Sequence, residues 1–212
     1  ASGKLIDNSN EVVIEKFKAI TGIKKRRYIN DDQTVVDIAI EAAKKTILDA
    51  KIDQESIDYI IVAHNVGDIT LNSNQVNTLP SLASKVKAGL NIKSPDCVAY
   101  DILFGCPGWV EGVIQATAFI KAGMAKKCLV LGADTLSRVL DHSDRDSMIY
   151  ADGAGASMIE ASKGKGGILS HKTVTYTSEG EADFIFYGPS NDKGKGTKYI
   201  KMHGRKVYEF AL

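Results

Sequence analysis

The sequence predicts an α/β fold in which helices cover a mixed sheet and one central helix is buried, and three features predict it. Apolar runs of strand length alternate with segments of helical period. Residues 97 to 104, CVAYDILF, are apolar almost without a break, as in a strand covered on both faces. From Trp109 to Ala122 the only charged or amide side chains are Glu111, Gln115 and Lys121. A helix that is apolar nearly all round is an interior one.

The elements follow in order. Residues 34 to 52 place Val35, Ile38, Ala39, Ala42, Ala43, Ile47 and Leu48 on one helical stripe. Thr34 with Asp37 gives that helix a capping-box-like start. DYIIVA at 58 to 63 reads as a strand, and Pro80 stands near the first turn of a helix running toward Leu90. CLVLGAD at 128 to 134 is a further strand. After a polar loop through Asp146, DGAGASMIEAS is a glycine-rich turn feeding another strand. Beyond Lys163, glycines and lysines interrupt short β-like pieces such as ILSHKTVTYT. No repeat at solenoid periods and no low-complexity linker divides the chain.

The bulk properties narrow the function classes. A chain of 212 residues, 44% hydrophobic and 25% charged, can bury a core without staples. The net charge of +1 divides unevenly. Residues 163 to 212 hold nine Lys and Arg against five Asp and Glu, net +4, and the rest is net −3. That tilt accommodates an acidic or phosphorylated partner but is far too weak to argue for nucleic acid, and none is expected. Cys97, Cys106 and Cys128 are odd in number and widely spaced, so they read as free thiols of a reducing compartment. No signal-peptide pattern opens the sequence and no apolar run is long enough to span a membrane. The expected location is the cytoplasm.

The segment that carries chemistry is DILFGCPGWVEG at 101 to 112. An apolar strand ends at Phe104, Gly105 permits a sharp turn, and Cys106 stands at the mouth of the apolar helix. Pro107 suits a first helical position, where its missing N–H costs nothing, and Gly108 lets the turn pack closely. The positive end of the helix dipole favours a thiolate there. The Cys106 N–H is left to face a developing oxyanion. Most cysteines are inert core residues, and Cys97 and Cys128, inside apolar strand patterns, read as such. DGAGA at 152 to 156 invites a phosphate-loop reading, but the apolar run after it is strand-like, so a structural turn fits better.

DILFGCPGWVEGVIQATAFIKAG followed by KKCLVLGAD resembles the β-ketoacyl-acyl-carrier-protein synthase III family of thiolase-fold condensing enzymes. Four further segments agree in order and spacing. TGIKKRRYI at 21 to 29 is similar to the family's Thr-Gly-Ile turn with its basic residues. LPSLASKV at 79 to 86 is similar to its dimer-contact segment. DRDSMIYADGAGASMI at 144 to 159 resembles its Asp-Arg stretch leading into Gly-Asp-Gly-Ala-Gly-Ala, with Ala151 for the first glycine. MHGRKVYEFA at 202 to 211 resembles Met-x-Gly-x-x-Val-Phe, with Tyr208 for the phenylalanine.

The resemblance implies a thiolase-like layered fold, with a five-stranded type of mixed sheet around a buried central helix, as one of two repeats. Residues 1–162 would be the α/β half carrying the nucleophile. Residues 163–212 would be a β-rich excursion beginning the connection to a second half. It implies that Cys106 is the catalytic acyl acceptor, that Arg145 lies against the CoA nucleotide, and that Lys24, standing where the family usually has an arginine after Thr-Gly-Ile, is a substrate-binding residue. It further implies that Leu79 reaches the partner's acyl pocket across a homodimer, with Tyr150 lining it. The substrates implied are acyl-CoA and a malonyl group on an acidic acyl carrier protein, with no metal and no resident cofactor. In the family a His and an Asn later in the chain serve the second half-reaction. His64, His142, His171 and His203 match neither and read as surface or loop histidines. The chain ending at Leu212 is thus expected not to condense substrates alone. Where several members stack a Trp on adenine, this sequence has Lys16 or Phe17, which leaves an acyl-carrier donor open.

Two other readings remain. One is a relative of hydroxymethylglutaryl-CoA synthase or a secondary-metabolite condensing enzyme, using the same cysteine with a different base. The other is a non-catalytic thiolase-fold partner that binds acyl chains, against which the retained Cys106 argues.

Overall fold

A computed structural model describes residues 5–73, 75–164, 167–192 and 196–212. In chain order its elements are α1 (Asn10–Thr21), α2 (Val35–Ala50), β1 (Tyr59–His64), α3 (Leu82–Gly89), β2 (Val98–Leu103), α4 (Gly108–Lys121), β3 (Lys127–Thr135), β4 (Asp152–Glu160), β5 (Ile185–Pro189), β6 (Lys198–Met202) and α5 (Gly204–Ala211). They fall into two units. One comprises residues 29–135 and 152–173, the other 1–28, 136–151 and 174–212.

The first unit holds a four-stranded mixed sheet of order β2-β1-β3-β4. β1 runs parallel to β2 and β3, and β4 is antiparallel to β3, from Lys127 opposite Glu160 to Thr135 opposite Asp152. Alternation along β1 divides the core. Ile60 and Val62 point into a cluster with Val35, Ala39 and Ala43 of α2 and Leu82, Ala83 and Val86 of α3. Ile61 points the other way, to Val113 and Ala116 of α4. β3 repeats the pattern, Leu129 and Leu131 on the first face, Cys128 and Val130 on the second. Each fully buried Ile or Leu here contributes about 1.5–3 kcal/mol.

Local signals explain the helices. The Thr34 N–H donates to Asp37 Oδ2 at 2.7 Å, the expected start of α2. Ser81 Oγ accepts the Ser84 N–H at 3.2 Å and caps α3, so this helix starts just beyond Pro80. The sheet has four strands among the described residues where a five-stranded type was expected. β2 is an edge strand, with Val98 and Leu103 exposed. α4 buries Gly108, Gly112, Val113 and Ala116 against the sheet, whereas Trp109 and Val110 are about half exposed.

The second unit contains α1, the β5–β6 hairpin, α5 and three short 3-10 helices, Leu136–Val139, Arg145–Ile149 and Glu181–Asp183. Its centre is polar. Lys201 of β6 donates to both Asp141 and Asp144, and Asp141 also accepts from Ser190 Oγ (2.9 Å) and the N–H groups of Asn191 (2.7 Å) and Ser143 (3.1 Å). Burial would raise the Asp141 carboxyl, but Lys201 and these donors outweigh it and bring it to about 2. The expected β-like piece at 168 to 177 forms no strand. Its Leu169, Val174 and Tyr176 are exposed, so no burial is gained by extending it.

No helix of the described residues is long and apolar enough to cross a membrane.

Candidate active site

Cys106 lies where β2 meets α4, at the carboxyl end of the parallel strands. Phe104 N–H donates to His64 O at 3.2 Å, carrying the β1–β2 ladder to the edge of the turn. Gly105 O then accepts the Gly108 N–H at 2.7 Å, which closes the turn around Cys106 and Pro107. The helix begins at Gly108 with Pro107 as its cap, one position later than expected. The tight i to i+3 bond takes the place of the first helical turn.

Two glycines set the depth of this helix. A Cβ on Gly108 would stand 2.8 Å from Ala63 Cβ, and one on Gly112 would stand 2.7 Å from a Val130 methyl. Only hydrogen at both positions lets α4 lie this close to β1 and β3, and the Cys106 turn is held with it.

The three thiols differ sharply. Cys106 is exposed, whereas Cys97 and Cys128 are buried and free. Burial pushes the Cys97 thiol up and takes Cys128 up to about 11. Both are core residues, as their apolar contexts predict. No carbonyl or side chain among the described residues takes the Cys106 N–H, so that donor remains for a ligand oxygen.

Around the turn the strand ends supply a polar frame that the sequence did not reveal. His64 was expected on the surface or in a loop, yet it is the last residue of β1 and buried. Its Nδ1 accepts the Gly67 N–H at 3.0 Å, so Nε2 carries the proton toward Asp101 Oδ2 at 3.2 Å. Asp101 in turn accepts the N–H groups of Leu82 and Ala83 at 2.8 Å each, at the first turn of α3. Burial would raise the Asp101 carboxyl, but His64 and these two donors hold it below its ordinary value. The apolar strand ending abruptly in His-Asn was the only sequence signal for this network.

The remaining candidates divide between the units. Leu79 shares the Cys106 unit and is highly exposed, just before the α3 cap. Arg145, Lys24 and Tyr150 belong to the other. Arg145 opens the short helix Arg145–Ile149 and pairs with the adjacent Asp146 at 3.0 Å, and Tyr150 ends the same helix. Lys24 is exposed two residues beyond Gly22, whose φ of 72° and N–H to Lys18 O end α1. Among the described residues no cluster of three His, Cys, Asp or Glu side chains is arranged to hold a metal.

The comparisons with known proteins bear on this arrangement. Residues 100–177 match the family model for 3-oxoacyl-[acyl-carrier-protein] synthase III. A β-ketoacyl-[acyl-carrier-protein] synthase III of Vibrio parahaemolyticus is 37% identical over 211 residues, 99% of this chain and 61% of the relative. Over the length it spans, the chain belongs to the β-ketoacyl-acyl-carrier-protein synthase III family. A relative from Erythrobacter litoralis is 33% identical over 98% of the chain and 61% of its own length. Among solved structures, the Aquifex aeolicus synthase III superposes with a TM-score of 0.75 at 32% identity, over 96% of this chain and 59% of that one. The Thermus thermophilus enzyme gives 0.74 at 29% identity, over 98% and 61%. The thiolase-like layering is therefore the fold of this chain, and the chain spans about three-fifths of the length of these relatives.

Proposed function

We propose that the intact protein is an acyltransferase of the β-ketoacyl-acyl-carrier-protein synthase III type, with Cys106 as its nucleophile. The observation that carries this reading is the exposed Cys106 in the closed turn before α4, with its own N–H unclaimed. The Cys106 thiolate attacks the carbonyl of an acyl-CoA, the Cys106 N–H steadies the oxyanion, and the CoA thiolate leaves. A malonyl group on the carrier protein then loses carbon dioxide. Its carbanion attacks the Cys106 thioester, forming the carbon–carbon bond and releasing the cysteine thiolate.

Arg145 and Lys24 are proposed to hold the donor's nucleotide, with Leu79 and Tyr150 bounding the acyl chain. Lys24 to Arg27 give the acidic carrier protein a basic run to approach. The free edge of β2 and residues 79–86 supply a surface for a homodimer, since an unpaired strand edge is open to a second copy. Three unpaired cysteines support a cytoplasmic setting.

Mass spectrometry of the intact protein after incubation with acyl-CoAs of increasing length tests the proposal. It predicts an adduct on the Cys106 peptide that vanishes in Cys106→Ala. No adduct from any donor on folded protein favours the non-catalytic acyl-binding partner instead.

A further inference from the structure

Arg145 stands at the end of a chain of hydrogen bonds that begins on another element of the second unit. Its Nε and Nη2 both donate to Asp146 Oδ1, at 3.2 and 3.0 Å. The main-chain N–H of Asp146 donates to Asp144 Oδ1 at 3.0 Å, the capping bond of the short helix Arg145–Ile149. The other oxygen of Asp144 accepts from Lys201 Nζ of β6 at 2.9 Å. The main chains also meet here, since Leu140 forms a parallel bridge with Ile200.

The two ends of this chain differ in setting. Lys201, Asp141 and Asp144 are buried, whereas the Arg145 side chain is 58% exposed. An exposed ion pair orders a long side chain only weakly. Here the acceptor is not free to drift, because the Asp146 N–H sits on a carboxylate that a buried ammonium holds. Asp141 already supplies Lys201 with one counter-charge. Asp144 is therefore a second acid on one ammonium, at a capping position where an uncharged serine would serve the helix as well. What the second acid adds is a link between β6 and the residues around Arg145.

We infer that Lys201 is a positioning residue, which through Asp144 and Asp146 fixes the Arg145 guanidinium and so sets the affinity for the phosphorylated nucleotide of a CoA donor. A guanidinium grips phosphate through a planar fork, so its strength depends on how the fork is aimed. The inference rests on the proposed placing of the donor's nucleotide at Arg145.

The test titrates CoA, and separately adenosine 3′,5′-bisphosphate as its nucleotide part, into the intact protein by calorimetry. The proteins are the parent, Arg145→Ala, Lys201→Met and the double variant. Arg145→Ala is expected to weaken both ligands about tenfold, as for the loss of a charge-assisted contact. Lys201→Met should weaken both by about threefold to tenfold. The double variant should bind no worse than Arg145→Ala to within about twofold, because a residue that acts through Arg145 has nothing left to act on.

A Lys201 that only stabilises the fold would lower the melting temperature and leave the affinity of the folded protein unchanged. It could also weaken binding by the same factor with and without Arg145. Either result overturns the inference. Should Lys201→Met fail to fold, Asp144→Ser keeps a capping oxygen and leaves Lys201 its Asp141 partner while cutting the link. That variant must weaken both ligands in the parent and not in Arg145→Ala, and parental affinity for Asp144→Ser overturns the inference. If Arg145→Ala binds CoA as the parent does, the placing of the nucleotide fails and the inference with it. If Arg145→Ala is weakened and Lys201→Met is not, the inference alone fails.

Discussion

Gly108→Ala is the smallest change that tests how the nucleophile is seated. The added Cβ would lie 2.8 Å from Ala63 Cβ and 3.4 Å from Phe104 Cβ. Carbon pairs are comfortable at about 3.5–4.0 Å, so the contact with Ala63 is short by about 1 Å. Ala63 is a buried residue in the middle of the sheet and its Cβ has no torsion to turn away. The amino-terminal turn of α4 must move instead. Overpacking of this kind costs about 1–3 kcal/mol, less up to about 1 kcal/mol for the better helix propensity of alanine. A net loss of about 1–2 kcal/mol is expected by urea denaturation. The larger effect should be chemical. A displacement of about 1 Å at the Cys106 turn is expected to slow acylation by about a hundredfold. Ala63→Gly removes the opposing Cβ, so the double variant should regain acylation while remaining less stable than the parent. A Gly108→Ala protein that acylates at the parental rate would refute the claim that close packing of α4 on β1 sets the thiol's place.

Other perturbations separate structural groups from chemical ones. Cys128→Ser buries a hydroxyl where a thiol sat in the core, and should cost about 1–3 kcal/mol in thermal or urea unfolding while leaving the Cys106 adduct intact. Lys201→Met leaves Asp141 and Asp144 buried without their cation, and a loss of about 3–5 kcal/mol at neutral pH is expected by denaturant titration. Acidification gives an independent check on that cluster in the parent. The Asp141 carboxyl is brought down to about 2 in the folded state, so its contribution of about 2 kcal/mol is present above the unfolded pKa of about 3.9. Stability should fall as pH drops from about 4 toward 2, and the part due to Asp141 should be absent from Asp141→Asn. Asp101→Asn should loosen the first turn of α3 and slow Cys106 labelling less than it lowers the melting temperature, because its bonds go to α3 and His64.

Much of this architecture was legible because it is written locally. The short apolar runs gave β1 and β3, the helical stripe gave α2, and the strand–Gly-Cys-Pro-Gly–helix order located the exposed thiol. What escaped was set by partners far along the chain. ILSHKTVTYT has strand composition, but strand formation needs a neighbour, and the described residues offer it none. His64 looked like a surface residue because its buried acceptor, Asp101, lies 37 positions away. Asn65 and its acceptor Asp134 are 69 apart, and neither is unusual in its own segment. The start of α4 moved by one residue because Gly105 O captured the Gly108 N–H, a choice of turn that composition does not dictate.

The polar residues at the carboxyl edge of β1, β2 and β3 have a division of labour that bears on mechanism. Open α/β sheets gather their chemistry at this edge, where loops diverge from the strand ends. Here the edge holds two carboxylates, and both are committed. The oxygens of Asp101 take the Leu82 and Ala83 N–H groups and the His64 proton. Those of Asp134 take the main-chain N–H and the side-chain amide of Asn65. Neither His64 nitrogen is idle, since one faces Asp101 and the other accepts from Gly67. A general base must be able to give up its partners and meet a substrate proton, and these groups are bound to main chain and to each other. They build the seat for Cys106 rather than exchange protons with what it binds. A cysteine acylated from a thioester needs little more than that, because the thiolate is its own nucleophile and the departing thiolate leaves without a general acid. The acylation half of the proposed reaction thus matches what this edge supplies: a fixed thiol, a free main-chain donor, and a rigid frame beneath them.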